Sequence, residues 1–490
     1  MGMMRFVSTS GRITSDMVEQ AYLSGFDRVP WQVRVRHGNG ELLLERPASD
    51  SGNLHIPWRV EGYGQVMLST ATLMERPQAY HLPLELARGK LGQLRNQLAE
   101  WQMVGLEVPA RVQDKLAEAL GYFAQAAVID HASERSVRLA DEAVRHALNA
   151  ADSLVACYTE QVIAVRRRAT PKLPTLLGVD LGPVPLAQTA ADRVVQAFNA
   201  AAVPLAWRRV EATEGHYDWE AIDRQVQWCR AEGLRVALGP ILQFDRSSFP
   251  DWLALYDDDV DSLFSLATEF VKTAVLRYRG QVDLWQSAGR INSAERISLP
   301  EEVRVRLAAR TIELCRRLDA KTPVVVSFDQ PWAEYLSRHE MEYPPLHSAD
   351  TLVRADLGLT GLALEINVGY HPGGTLLRDL LEFSRQLDYW SLLGVPLFVT
   401  VCAPSSIEPD RMATRRTGIP GTMWTPKAQA LWVARYLPLL LAKPYLHGVF
   451  WGQLHDAQPH EFPHGGLFDA KGQPKPALRQ LAAIRKSHLR

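Results

Sequence analysis

Cysteine is scarce in this chain of 490 residues: there are four, Cys157, Cys229, Cys315 and Cys402, all far apart. That spacing excludes a CxxC redox motif, a cysteine zinc site and a disulfide framework. The four read as small buried hydrophobes in a reducing compartment. An excess of one charge is also missing. Lys and Arg total 54, Asp and Glu 55, and the formal net charge is -1. A nucleic acid is therefore not an expected partner, because phosphate binding needs a basic surface. No apolar run reaches the roughly 20 residues that span a bilayer, so no membrane partner is expected. The first fifteen residues hold no apolar core of the export-signal kind, and a cytoplasmic protein is expected. Gly369, Gly373 and Gly374 lack the spacing and the Lys of a phosphate loop, and neither a metal nor another cofactor is expected.

What is present is an ordinary globular composition, 47% hydrophobic and 22% charged, long enough for one large α/β domain and a smaller one. Three stretches differ in periodicity. Residues 1–80 alternate as strands do, and Trp31 to His37 and Glu41 to Glu45 flank Gly38-Asn39-Gly40, a hairpin signal. A small antiparallel sheet or sandwich is expected there, as a cap on the rest or as a carbohydrate-binding module. Residues 81–170 change to helical spacing, with Leu84, Leu91, Leu94, Leu98 and Trp101 on one face and Val112, Leu116, Leu120 and Phe123 on another. This predicts two or three antiparallel helices that act as a spacer.

In residues 171–490 short apolar runs alternate with helical ones about eight times. The expected strands are 176–181, 203–207, 234–239, 282–286, 323–328, 361–366, 396–401 and 446–451; helices are expected at 219–232, 260–278, 300–318, 376–393 and 426–441. Alternation of that length predicts a (β/α)8 TIM barrel, whose chemistry lies on the loops after the strand C-termini.

The closing stretch Gly448-Val449-Phe450-Trp451-Gly452, then Gly466-Leu467-Phe468-Asp469 and Lys475-Pro476-Ala477, resembles the eighth strand and last helix of family-10 glycoside hydrolases. Phe198-Asn199, Trp207, Gly215-His216-Tyr217, Asp223 and Pro250-Asp251-Trp252 follow the same family's order of landmarks, so the resemblance spans residues 176 to 488. It implies a barrel that holds a β-linked, xylan-like oligosaccharide. Retaining members use two glutamates about 5 Å apart, one ending the fourth strand after an Asn, the other ending the seventh after a Thr. Here the fourth strand runs Leu284-Trp285-Gln286-Ser287-Ala288-Gly289-Arg290, and Val401 stands in the nucleophile's place. The family's Lys before Trp207 is Ala206, and its two histidines after the third strand are Pro240 and Asp245. The resemblance therefore carries over no catalytic pair.

Other carboxylates stand at predicted strand ends. Glu365, Asp329 and Asp245 are the candidates for a replacement acid/base set. In the family register Glu365 takes the place of a Gln and Asn367 that of a His. Trp285, Trp332, Tyr370 and Trp451 are candidate faces for a pyranose ring, with Gln286, Glu334 and Asn367 as polar contacts. Two functions follow: a glycoside hydrolase with non-standard carboxylates, or an inactive barrel that binds glycan or serves as structure.

Overall fold

A computed structural model describes residues 2–8, 11–47, 49–130, 133–245, 247–256, 259–292, 299–339, 341, 343–416 and 424–490. Eight parallel strands form a barrel: β1 (Leu176–Val179), β2 (Ala200–Val203), β3 (Arg235–Leu238), β4 (Leu284–Gly289), β5 (Val324–Asp329), β6 (Gly361–Asn367), β7 (Leu397–Cys402) and β8 (Leu446–Trp451). They pair in the order β2-β3-β4-β5-β6-β7-β8-β1. The ring closes where Asp180 bridges Ala202 and the Leu181 N–H donates to the Ala202 carbonyl at 3.0 Å. The protein is an α/β TIM barrel preceded by a small β region and helices.

Alternation along each strand divides the barrel into two layers. Ala202, Ala237, Leu284, Val325, Ala363, Phe398 and Phe450 meet on the barrel axis. Their chain neighbours, among them Trp285, Val326, Leu364, Val399 and Val449, fill the space between sheet and helices. Two phenylalanines on the axis leave little room opposite them. At Gly178 a Cβ would stand 2.4 Å from the Phe450 ring, so β1 has no side chain there.

The second strand occupies residues 200–203, earlier than the expected 203–207. Pro204 has no N–H to give to a ladder, and Trp207 opens the short helix Trp207–Val210. Helices Glu220–Ala231, Val260–Tyr278, Glu301–Leu318 and Pro426–Ala442 stand where the spacing predicts them. The helix expected from 376 starts at Leu380, because the Asp379 side chain accepts from the Leu381 and Glu382 N–H groups and caps it there. Among the described residues no helix is long and apolar enough to cross a membrane. The four cysteines are buried and unpaired.

The N-terminal strands form two four-stranded sheets. Asn39 and Gly40, with φ of 52° and 78°, make the tight turn between Arg34–Gly38 and Glu41–Arg46. One pairing is parallel, Gly2–Val7 with Tyr80–His81, so this sheet is mixed, not purely antiparallel. Three helices follow, Leu82–Met103, Ala110–Ala127 and Glu134–Ala169.

The loop after β6 is one of the places where this region meets the barrel; the helix Glu134–Ala169 against the helix Pro426–Ala442 is another. The Met67 N–H donates to the Leu377 carbonyl at 2.9 Å. Lys90 pairs with Asp379 at 2.6 Å, both side chains 2% exposed. Arg378 donates to the Tyr22 hydroxyl at 3.2 Å and to Glu334, with its guanidinium 5.0 Å from the Trp332 ring centre.

Candidate functional site

The C-terminal mouth of the barrel opens into a cavity of about 870 Å³, within the range of small-molecule sites. Inward residues of several strands form its floor: Asp180, Gln286, Ser327, Glu365, Thr400 and Phe450. Residues of the segments that follow the strands form its walls, among them Arg209, Gln243, Gln453, His455, His460 and Glu461.

One guanidinium organises the mouth. Arg290 follows β4 in the left-handed conformation, φ 58°, which costs a non-glycine residue on the order of 1 kcal/mol or more. Its side chain over-determines that backbone. Nε donates to Glu365 Oε2 at 2.8 Å, Nη1 and Nη2 reach the two Glu461 oxygens at 3.0 and 2.8 Å, and Nη1 lies 3.7 Å from Asp245. Ser327 donates to the other Glu365 oxygen at 2.8 Å, and Arg415 donates to Glu461 at 2.7 Å. The two-pronged Arg290–Glu461 pair is the geometry in which Arg binds carboxylate most firmly. Gly289 is needed beside it, since a Cβ there would stand 2.7 Å from the Pro240 ring and 3.0 Å from the Ser327 hydroxyl that holds Glu365.

These charges shift one another. Burial pulls Arg290 down, but Glu365, Glu461 and Asp329 outweigh it and hold it well above the ordinary value. Burial raises Glu461, yet Arg290 and Arg415 prevail and lower it to about 2. Asp329 is 1% exposed. Burial raises its carboxyl; Arg290 opposes and Glu365 adds, and the result is about 7. Asp180, half-buried just past the end of β1, is raised to about 6 by loss of solvent, with the Gly182 N–H and Arg290 opposing and Glu365 adding.

The Asp329 shift has a measurable consequence. From about pH 4 to about 7 the folded chain holds this proton more tightly than the unfolded one, so stability falls as pH rises and the loss is complete above 7. Asp329→Asn is expected to remove that slope. In thermal unfolding the variant gains on the parent at pH 8 and not at pH 4; an equal difference at both pH values contradicts the assignment.

No protein-family model matches the chain, and no curated protein does. Solved structures match the barrel. Xylanase 10B from Thermotoga maritima is 14% identical, covers 65% of this chain and 97% of its own, and superposes with a TM-score of 0.49. Xylanase 10B from Thermotoga petrophila RKU-1, in complex with xylobiose, gives 14%, 65%, 96% and 0.49. A GH10 endoxylanase from a sugarcane soil metagenome gives 15%, 64%, 97% and 0.49.

Of the residues singled out in the sequence, Glu365, Gln286 and Asn367 line the cavity. Asn367 is 3% exposed, and its Nδ2 has no hydrogen-bond acceptor among the described residues. Asp245 and Asp329 stand behind the wall. Asp245 accepts from Ser247 and Ser248 and from the Gln243 amide. Asp329 accepts from the Gln330 N–H at 2.9 Å and the Gln330 side chain at 3.2 Å.

The four aromatics, expected as faces for a sugar ring, do not line this cavity. Trp285 and Trp451 sit one residue past the inward Leu284 and Phe450, so strand parity turns them outward. Trp285 Nε1 donates to Asp319 at 3.0 Å, and Trp451 Nε1 to the Gly465 carbonyl at 2.9 Å. Tyr370 is fully buried, its hydroxyl donating to the Pro463 carbonyl at 3.1 Å. Trp332 lies beneath Arg378, and Glu334 is bound to Arg378 and Thr375, so both serve the junction with the N-terminal region and not the mouth. At the end of β7, Val401 faces the outer layer and Thr400 the cavity.

Sequence reasoning missed Asp180, Arg290 and Glu461. Asp180 carried a usable signal, since it directly follows the apolar run of β1 at the mouth end. Arg290 and Glu461 lie in segments without periodicity.

Proposed function

We propose that the barrel mouth binds a saccharide through hydrogen bonds, and that it holds the ligand without cleaving it. The observation that carries this is Asn367: a buried amide donor, on a residue that lines the cavity, with no hydrogen-bond partner among the described residues. Such a group left unpaired costs about 1–3 kcal/mol, which a ligand oxygen recovers. Glu365, Gln286, Gln243, Gln453 and the histidines supply further donors and acceptors, the equipment for a polyhydroxylated ring. Support for a β-linked, xylan-like saccharide comes from the ordered family-10 motifs in the sequence. Phe450 and Phe462 are the aromatic faces in the lining, and the polar groups around them suit a short ligand bound chiefly by its hydroxyls. The carboxylates speak against cleavage: Glu365 and Glu461 are ion-paired to Arg290, and Asp245 and Asp329 are turned onto neighbouring groups.

Calorimetric titration with xylo- and cello-oligosaccharides tests the reading. Binding is expected, and Asn367→Ala is expected to weaken it about tenfold, the equivalent of about 1.4 kcal/mol. No heat with any glycan sinks the proposal. Tryptophan fluorescence is a poor readout, because no tryptophan lines this cavity.

One observation favours hydrolysis as a second reading. Asp180 and Glu365 both line the floor, and burial keeps Asp180 protonated up to about pH 6 while an arginine is paired with Glu365. Two carboxyls with environments that differ in this way are what an acid and a nucleophile require. On that reading, turnover of a chromogenic glycoside panel is lost in both Asp180→Asn and Glu365→Gln with folding intact. Full activity in Glu365→Gln removes it.

A further inference from the structure

A second cavity, about 1150 Å³, lies away from the mouth, between the N-terminal sheet, the long helix Glu134–Ala169 and the barrel helix Pro426–Ala442. Its walls are two helix faces. Ala428, Leu431, Trp432 and Arg435 recur at helical spacing on one, and Arg135, Arg138, Glu142 and Arg145 on the other. The strand pair Asn53–Val60 and Gly64–Ser69 adds Arg59 and Val66.

The apolar lining is Leu377, Leu380, Leu431, Trp432 and Tyr436, and the two buried charges in the lining, Arg378 and Asp379, are paired with Glu334 and Lys90. Leu431 is 57% exposed although it faces this apolar surface. The rim is charged, and its charges do not cancel. Asp152 is taken by Arg435 and by the Tyr63 hydroxyl, Glu142 by Arg145, and Asp141 by Arg12 and the Trp58 indole. Glu61, also on the rim and exposed, makes no ion pair with any described residue. Arg59 and Arg135 line the cavity, are exposed, and make no ion pair with any described residue. An apolar pocket whose unpaired rim charges are two guanidiniums against one carboxylate carries a positive excess, and this matches an apolar chain that ends in an anion.

We propose that this cavity binds a small amphiphilic carboxylate, with its chain against Leu377, Leu431 and Trp432 and its head at Arg59 and Arg135. Chain burial supplies affinity, and the arginines select the sign of the head. Because the pocket is walled by both the N-terminal region and the barrel, its occupant also bridges them.

Decanoate below its aggregation concentration is the probe, followed by calorimetry and by the fluorescence of Trp432 at the wall. One decanoate per chain is expected, with decyltrimethylammonium at least tenfold weaker. Arg59→Ser combined with Arg135→Ser, both exposed and so harmless to folding, is expected to weaken decanoate at least tenfold at an unchanged melting temperature. Ala428→Trp, which fills the pocket, is expected to abolish binding, whereas Asn367→Ala at the mouth leaves it unchanged. No decanoate binding, equal binding of the cationic amphiphile, or an unaffected double variant would each overturn the proposal.

Discussion

Arg290→Met is expected to destabilise the protein by about 3–5 kcal/mol at pH 7, the range for removing one partner of a buried ion pair. The variant leaves Glu365 without its guanidinium contact and Glu461 with Arg415 alone. Relief of the left-handed backbone does not offset this, because methionine inherits the same φ. The acid limb changes as well. Glu461 is held at about 2 by Arg290 and Arg415. A carboxylate lowered in this way stabilises the fold above its unfolded value and ceases to as pH falls toward 2. With half of its counter-charge gone, the variant loses stability less steeply between pH 4 and 2. Arg290→Lys falls between the two, since an ammonium cannot present a planar fork to three carboxylates. Urea unfolding at pH 7 and along the acid limb measures both effects, and a loss below 1 kcal/mol at pH 7 contradicts the central role of Arg290.

Lys90→Met has an effect of similar size for a different reason. Lys90 and Asp379 are each 2% exposed and join the first long helix to the loop after β6. Methionine fills the volume of the lysine stem but leaves a buried carboxylate unpaired, so a loss of about 3–5 kcal/mol is expected. Asp379→Asn has the converse defect, a buried ammonium without its anion. The double variant Lys90→Met with Asp379→Asn buries no charge and is expected to recover part of the loss. The coupling energy from the four proteins separates the ion pair from the helix-capping role of Asp379. Additive losses, with no recovery in the double variant, contradict this account.

The barrel was legible in the sequence because its signal is repeated. Apolar runs such as Val324–Phe328 and Leu446–Trp451 are long enough to identify as strands, and the helices between them carry a 3.6-residue period. The mouth was legible only where one strand ran without interruption to its end. On β6, Ala363, Glu365 and Asn367 share a face, and parity from the axis-facing Ala363 places both polar residues in the cavity. Trp285 and Trp451 drew attention as aromatics near strand ends, but a shift of one residue changes the face completely. On β4 the register also slips between Gln286 and Ala288, so counting along the sequence cannot place Arg290. Trp332, Glu334 and Tyr370 lie past the last strand residues, where no period applies. Their surroundings come from Arg378 and from the loop after β8, both distant in sequence.

The measurement that bears most directly on the mouth as a saccharide site is a crystal structure of the protein soaked with xylobiose. The account predicts a sugar ring in the barrel mouth with a hydroxyl or ring oxygen within hydrogen-bond distance of Asn367 Nδ2, beside an intact Arg290–Glu365 pair. An empty mouth at saturating xylobiose, or sugar bound only at another surface, would contradict it.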